Sequence, residues 1–232
     1  MSFDMREIRA SDYVVAAMCG NWHEESGVNP GIWETLVVVP WDSMYNPGPP
    51  ETGGYGFGQW TNTHNPQNMR CLNLHNWVNA NGYTDGDGAG QLMFMGVEDI
   101  WNLTSPRLRI PNLKAFFEST STDLEALCWD FLICWEGINN GTFPYRYQAA
   151  QQYLTYIQQH ANDNPADYAT AISDNRYLTD AETLHNVMYV YFALNGYLGS
   201  PGIDAKTFLM LAVAGRKGRT GKFNANGKRK RV

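Results

Sequence analysis

Apolar residues recur at the spacing of α-helices along most of the chain and predict a mainly helical protein. The first helix is expected to begin with a capping residue at Ser11 or Asp12 and to run to about Glu25. Met18 and Trp22, four residues apart, share one face of that helix. Further helices are predicted over 66–81, 90–101, 124–136, 145–161 and 184–198.

Two capping boxes support the starts of the later helices. Thr122 with Glu125 precedes the 124–136 segment, and Thr179 with Glu182 precedes the last helix. The 124–136 segment is apolar nearly all round, so we expect it to be the central buried helix.

The segment 27–62 interrupts the helical pattern. It is rich in glycine, proline, asparagine and aromatic residues, which predicts a loop with a short pair of strands. Within it, GGYGFGQW (53–60) alternates glycine with larger side chains, as in a β-strand that another backbone or a ligand approaches closely. About six helices and one small β element indicate an α+β fold that is mainly α.

Charge is distributed unevenly along the chain. The 232 residues carry 17 Lys+Arg and 23 Asp+Glu, a net charge of −6. Residues 216–232 hold eight of the basic residues and no acidic ones, so the first 215 residues carry −14. An acidic body excludes a nucleic-acid-binding domain, and we expect no specific nucleic-acid partner. The basic tail could contact a polyanion or a membrane surface.

Targeting signals are not expected. The first apolar run, 13–19, follows acidic residues and lacks the basic start of a secretory signal peptide. No apolar run reaches the roughly 20 residues that span a bilayer. We therefore expect synthesis in a cytoplasm without a secretion signal.

Cysteine and histidine spacing predicts no metal site and no cofactor. The four cysteines form no CxxC pair, and His23 and His64 have no ligand partners at a convincing spacing. Three of the cysteines lie in apolar helical stretches, so buried thiols are favoured over disulfides. The cysteines are Cys19, Cys71, Cys128 and Cys134.

Two adjacent glutamates, Glu24 and Glu25, stand at the predicted end of the first helix, just before Gly27. The unpaired carbonyl groups at a helix C-terminus disfavour negative charge, and burial beside Trp22 or Trp33 would act in the same direction. Both effects favour the protonated form that a general acid needs. The alternative is a pair of solvated residues at a helix end.

The 53–60 segment adds a second feature of a carbohydrate cleft. Aromatic faces flanked by amide donors suit neutral sugars, which offer C–H surfaces and hydroxyl groups. We expect Tyr55, Gln59 and Trp60 on a β-hairpin wall opposite Glu25. The alternative is a hairpin whose aromatic side chains are simply packed.

Two ordered motifs, CGN…ESG-x-NPG-x-W and G-Y-G-x-x-QWT, resemble those of the phage tail lysozyme family. They span residues 19–33 and 54–61. The later segment FLICWEG and Arg146 resemble the closing helix of that family and a downstream arginine. The resemblance covers about residues 10–160 and implies a fold related to goose-type lysozymes and lytic transglycosylases, with a small β-hairpin beside the cleft.

By position in the first motif, the resemblance implies that Glu25, rather than Glu24, is the catalytic acid. It identifies no second carboxylate, for which Glu34, Asp42 and Glu51 in the following loop are candidates. The side chains expected to contact the glycan are Tyr55, Gln59, Trp60, Thr61 and Trp33.

Glu136 corresponds to a glutamate of the family. On an apolar helix we expect it to form a buried structural ion pair with Arg146 rather than to act in catalysis, because an unpaired buried charge is costly.

The resemblance implies cleavage of the β-1,4 bond between N-acetylmuramic acid and N-acetylglucosamine by a muramidase at the virion tail tip. Its expected partners are bacterial peptidoglycan and other virion tail proteins. Three alternatives of related chemistry stay open: a lytic transglycosylase, an endolysin released through a holin, and a bacterial secretion-system muramidase. A structural tail-tip protein that binds glycan without cutting it is the alternative of another class.

The chain is predicted to have three parts. Residues 1–165 form the lysozyme-like catalytic domain, 166–215 a C-terminal helical hairpin, and 216–232 a basic, flexible tail. The hairpin, with apolar segments 184–198 and 205–215, could dock to a virion partner or a membrane surface. The alternative is that it packs on the body and the tail is solvated.

Overall fold

The computed structural model describes residues 3–34, 36, 53–62, 69–98, 110–137 and 141–197. The α-helices and strands in chain order are α1 Asp12–Ser26, β1 Gly54–Tyr55, β2 Trp60–Thr61, α2 Arg70–Ala80, α3 Gly88–Glu98, α4 Leu113–Phe117, α5 Leu124–Phe131, α6 Phe143–His160 and α7 Asp180–Phe192. Short 3-10 helices cover Met5–Glu7 and Pro165–Tyr168, and π-helical turns over Leu132–Glu136 and Ala193–Tyr197 extend α5 and α7. This architecture confirms the predicted α+β class, mainly α.

Helix α1 is the central helix of the fold. The Ser11 side chain accepts a hydrogen bond from a first-turn N–H, as predicted, and the helix ends at Gly27, whose φ of 63° suits glycine. Residues 14–22 are buried without interruption, and α1 packs on α5, α6 and α7. The predicted burial of the 124–136 segment is confirmed, but its predicted central position is wrong, because α1 is the helix that packs on α5, α6 and α7.

Small side chains let α1 and α6 approach closely. A Cβ atom at Gly20 would lie 2.6 Å from the Ala150 Cβ and 2.6 Å from the Arg146 carbonyl oxygen. Real Cβ atoms do not make such contacts, so glycine is required at this crossing. The crossing brings Arg146 beside the C-terminal half of α1.

The helix starts were predicted with mixed success. Asp123 caps α5 by accepting a hydrogen bond from a first-turn N–H at 2.9 Å. The predicted capping box of Thr122 with Glu125 is therefore wrong. The Asp123 carboxylate, one residue after Thr122, accepts the hydrogen bond from the Ala126 N–H instead. The capping box of Thr179 with Glu182 is confirmed.

The 53–60 segment forms most of a hairpin rather than one strand. Strands β1 and β2 pair in antiparallel register, with Gly54 opposite Thr61 and Tyr55 opposite Trp60. Residues 56–59 make the turn between them. The predicted short pair of strands is confirmed, and the single-strand interpretation of the glycine alternation is wrong, because the pattern includes the turn itself.

Helix α3 holds this hairpin in place through Gln91, which is fully buried. Its Oε1 accepts a hydrogen bond from the Phe57 N–H at 2.9 Å. Its Nε2 donates to the carbonyl oxygens of Pro30 and Asp85, both at 2.7 Å. One amide thus joins the hairpin turn, the loop after α1 and the loop before α3.

The segment after α6 packs on the rest of the protein. Helix α7 contacts α1 and α6, and its apolar side chains belong to the same core. Asn186 of α7 donates to the Val28 carbonyl oxygen, just beyond α1, at 2.8 Å. The boundary at residue 165 stays a prediction. The apolar segment 205–215 and the basic tail 216–232 lie outside the described residues.

Candidate active site

A cleft of about 490 Å³ opens between the C-terminal end of α1, the hairpin and the N-terminal end of α7. Four of the described side chains that line it are acidic: Glu24, Glu25, Glu34 and Asp180. The other described lining residues are His23, Ser26, Gly27, Ile32, Trp33, Gln59, Thr61, Tyr177, Leu178 and Thr183. The predicted acid and the predicted hairpin wall therefore border one cavity.

Glu25 lies in the last turn of α1 with its side chain 21 % exposed. Its Oε1 accepts a hydrogen bond from Arg146 Nη2, and the two side chains form an ion pair. Arg146 also donates from Nη1 to the Asn21 carbonyl oxygen and from Nε to Thr142 Oγ1, both at 2.8 Å. This buried guanidinium fixes one oxygen of Glu25. The other oxygen, Oε2, accepts no hydrogen bond from the residues that the structure describes.

Two opposing charges act on the Glu25 carboxyl group. The Arg146 guanidinium attracts the ionised form, whereas the carbonyl groups at the end of α1 repel it. The sequence indicated only the second influence, because Arg146 is 121 positions away from Glu25.

Glu136, at the end of the π-helical turn, does not form the predicted ion pair with Arg146. The guanidinium is already bound to Glu25, and Glu136 Oε1 is buried with no hydrogen-bond partner among the described residues. Burial, and then the negative charge of Glu25, raise the pKa of Glu136 to about 8. The raised pKa favours the neutral carboxylic acid at neutral pH, and Glu136 is close enough to Glu25 for the charge of one to act on the other.

The predicted aromatic side chains of the hairpin lie in the core. Tyr55 is 7 % exposed, and its ring centroid is 4.7 Å from that of Trp33. Trp60 is fully buried, and its indole N–H donates to Glu98 Oε2 at 2.8 Å. Of the side chains predicted to contact glycan, those that line the cleft are Trp33, Gln59 and Thr61.

Gln59 joins two walls of the cleft. Its Nε2 donates to the carbonyl oxygens of Gly56, within the hairpin turn, at 3.1 Å and of Ile32 at 3.3 Å. A Cβ atom at Gly54 would approach Gln59 Oε1 to 2.7 Å, so the glycine leaves room for this amide. The Gln59 side chain therefore joins the hairpin turn to the loop after α1 at the cleft surface, by hydrogen bonds to backbone carbonyl groups.

One of the three predicted second carboxylates lies in the cleft. Glu34 is exposed there, and its Oε2 accepts a hydrogen bond from the Gly54 N–H at 2.9 Å. Asp42 and Glu51 lie outside the described residues. Asp180, exposed in the first turn of α7, is a further acidic residue of the same cleft.

Sequence reasoning missed the wall formed by the residues just before α7 and by its first turn. Tyr177, Asp180 and Thr183 line the cleft, although they are far from Glu25 along the chain. The capping box at Thr179 indicated a helix start, but no local pattern indicates where in space that start lies.

Within the described residues, no group of three or more histidine, cysteine or acidic side chains is arranged to hold a metal ion. All four cysteines are buried and free, which confirms the expected thiols. Burial raises the pKa of the Cys134 thiol to about 11, so this group stays protonated and unreactive. None of the described helices has the length and apolar character to cross a membrane.

Comparison with known families adds an observation independent of this geometry. A family model described as phage tail lysozyme matches residues 1–157. The match includes Glu25, the hairpin and Arg146, and it ends before α7. No curated protein matches the chain.

Proposed function

The chain belongs to the phage tail lysozyme family, and we propose that it hydrolyses the β-1,4 bond between N-acetylmuramic acid and N-acetylglucosamine with Glu25 as general acid. Membership of the family makes the protein a peptidoglycan-degrading phage lysozyme, associated with the virion and acting on the bacterial cell wall. The proposed reaction uses no cofactor.

The observation that carries the proposal is the way Glu25 is held. Its backbone belongs to the buried central helix, its Oε1 is fixed by Arg146, and its side chain borders the cleft. A general acid must present its proton at hydrogen-bond distance from the oxygen it protonates, which requires a fixed carboxyl group at a surface open to substrate. Glu25 meets both requirements.

In the proposed reaction, the protonated form of Glu25, which is in equilibrium with the carboxylate that Arg146 binds, gives its proton to the glycosidic oxygen as the bond from that oxygen to C1 breaks. Glu25 becomes negatively charged in this step. The Arg146 guanidinium on Oε1 then stabilises the carboxylate by a charge-assisted hydrogen bond. A group placed where charge develops lowers the barrier, because no reorganisation is needed when the proton leaves.

The fate of the sugar cation depends on a second carboxylate. A base about 6.5–9.5 Å from the acid would activate a water on the opposite face and give inversion. Glu34 and Asp180 are the candidates that line the cleft, and Asp42 and Glu51 stay predictions. Without such a base, the 6-hydroxyl of the muramyl residue would attack C1 and lose its proton to the Glu25 carboxylate, giving the anhydro product of a lytic transglycosylase.

The side chains proposed to contact the glycan are Trp33, Gln59 and Thr61, which line the cleft. Tyr55 and Trp60 are proposed to act indirectly, since both are buried and pack behind the cleft wall. They keep the hairpin in shape rather than stacking on sugar.

The assignment of the acid is tested by Glu25→Gln, with Glu24→Gln as the matched control. Both glutamates line the cleft, and the structure gives an ion pair with Arg146 only to Glu25 among the described contacts. We expect Glu25→Gln to reduce peptidoglycan clearing by about 100-fold or more, the size of a general-acid contribution, and Glu24→Gln to change it little. Undiminished clearing by Glu25→Gln would remove the assignment. No clearing by the native protein would favour a glycan-binding structural role.

Mass spectrometry of digested peptidoglycan separates the two reaction outcomes. We expect reducing muramic acid ends from hydrolysis. Anhydro-muramic ends would identify a transglycosylase that uses the same acid.

The proposed setting is the phage tail tip, where the enzyme opens the wall locally during genome delivery beside other tail proteins. We expect antibodies against the protein to detect it in purified virions. Its presence only in the soluble lysate would favour an endolysin released through a holin.

A further inference from the structure

The segment 174–183 forms the cleft wall that lies outside the family match. Tyr177, Leu178, Asp180 and Thr183 line the cleft, and the match ends at residue 157. This wall is therefore a feature of this chain beyond the part that identifies its family.

Hydrogen bonds from the loop after α1 fix this wall on its inner side. Asn29 Nδ2 donates to the carbonyl oxygens of Asp174 and Arg176, both at 2.8 Å. Asn175 Oδ1 accepts from the Trp33 N–H at 3.0 Å. The backbone on either side of Asn175 is thus tied to the same loop that carries Trp33 into the cleft.

Ion pairs and the helix cap fix the wall on its outer side. Arg176 binds Glu182 with its Nη2 at 2.6 Å from Oε1, and it binds Asp174 with its Nε at 2.9 Å from Oδ2. The capping box of Thr179 with Glu182 holds the next turn. Tyr177 therefore lies between Arg176, whose side chain forms these ion pairs, and the capping box at Thr179.

Tyr177 is 71 % exposed at this position. An aromatic ring left in water gains almost nothing from folding, whereas a ring on a fixed backbone can meet a ligand at little entropic cost. We propose that Tyr177 is a stacking platform for one pyranose ring of the glycan strand, in a subsite built by this wall. The identity of the ligand rests on the function proposed above.

The charges of the cleft agree with a neutral sugar ring at this subsite. The described lining residues include four carboxyl groups and neither lysine nor arginine, so an anionic ligand would be repelled. A pyranose offers a C–H face to Tyr177 and hydroxyl donors to carboxylates such as Asp180. The rival ligand is a cationic amine of a peptidoglycan stem peptide, which the same carboxyl groups would attract.

The test measures binding of chitohexaose, a β-1,4 N-acetylglucosamine oligomer without stem peptide, by calorimetry. The parent protein is Glu25→Gln, so that the ligand is not cleaved. Adding Tyr177→Ala is expected to raise Kd about five- to tenfold, whereas Tyr177→Trp keeps Kd within about twofold. The matched control is Tyr145→Ala, since Tyr145 is 63 % exposed on α6 and is not among the described lining residues.

Three results would overturn the proposal: an unchanged Kd for Tyr177→Ala, an equal loss for Tyr145→Ala, or no chitohexaose binding by the parent. A loss confined to peptide-bearing peptidoglycan fragments would assign Tyr177 to the stem peptide and would also overturn it. Failure of the proposed catalytic function appears in a different assay, the clearing of peptidoglycan by the native protein.

Discussion

Replacement of Glu136 by glutamine is expected to stabilise the protein by an amount that grows with pH. Glu136 Oε1 is buried without a hydrogen-bond partner among the described residues. Both arginines whose charge reaches it are bound to other carboxylates, Arg146 to Glu25 and Arg70 to Glu98. Glutamine keeps the shape of the neutral acid and cannot ionise.

The sign of the pH dependence follows from the difference in Glu136 protonation between the folded and unfolded states. Burial and then the charge of Glu25 raise the pKa of Glu136 from 4.5 to about 8 in the folded protein. Between those pH values the folded state holds a proton that the unfolded state releases, so stability falls as pH rises.

The magnitude follows from the same shift. One pKa unit corresponds to about 1.4 kcal/mol. Integrated over the titration, this group lowers the free energy of unfolding by about 2–3 kcal/mol between pH 5 and pH 7. The loss ends near pH 8, where Glu136 ionises in the folded state as well.

Urea unfolding of the native protein and of Glu136→Gln at pH 5, 7 and 9 measures this difference directly. We expect the variant to gain about 2–3 kcal/mol on the native protein between pH 5 and pH 7, and about 1–2 kcal/mol more by pH 9. Glu125→Gln is the control, because Glu125 is exposed on the same helix. Its stability difference from the native protein should not change with pH.

A difference between native protein and Glu136→Gln that stays constant with pH would refute the reasoning. It would mean that Glu136 is ionised in the folded state at neutral pH and has found a partner there. A variant less stable than the native protein at pH 7 would show that the carboxylate contributes a favourable contact.

Two further predictions concern the packing that positions the cleft. Gly20→Ala should destabilise the protein by about 2–3 kcal/mol in urea unfolding, because the new Cβ would lie 2.6 Å from the Ala150 Cβ. Gly53→Ala is its control, since a Cβ there meets no atom within 4 Å among the described residues, and an equal loss would contradict the packing argument. Gln91→Leu should cost about 3 kcal/mol or more in the same assay and reduce clearing, because it leaves the buried Phe57 N–H without its acceptor. Unchanged stability would show that the hairpin is held by other contacts.

Features that depend on neighbouring residues could be predicted from the sequence. The start of α1 at Ser11 and its end at Gly27 follow from capping and from a positive φ, which involve residues within one helical turn. The motif around Glu25 and the hairpin motif were recognisable for the same reason, since each lies within a short stretch. The fold class follows from the apolar periodicity, which is also a local property.

Local patterns did not indicate which aromatic side chains of the hairpin would be buried in the core. Glycine alternation predicted an extended segment with its aromatic side chains near a ligand, and Tyr55 and Trp60 are instead buried. An aromatic side chain gains more free energy from burial than from exposure at a cleft, and whether space for burial exists depends on elements elsewhere in the chain.

The pairing of charges in the site and the second wall of the cleft depend on contacts between distant parts of the chain. Arg146 forms its ion pair with Glu25 and not with Glu136. The close crossing of α1 and α6 at Gly20 places Arg146 beside Glu25. The wall that carries Tyr177 is held by hydrogen bonds from Asn29 to Asp174 and Arg176. These two residues lie 145 and 147 positions further along the chain. Such contacts form only when the whole chain is folded, and no pattern within a few residues encodes the distance between their partners.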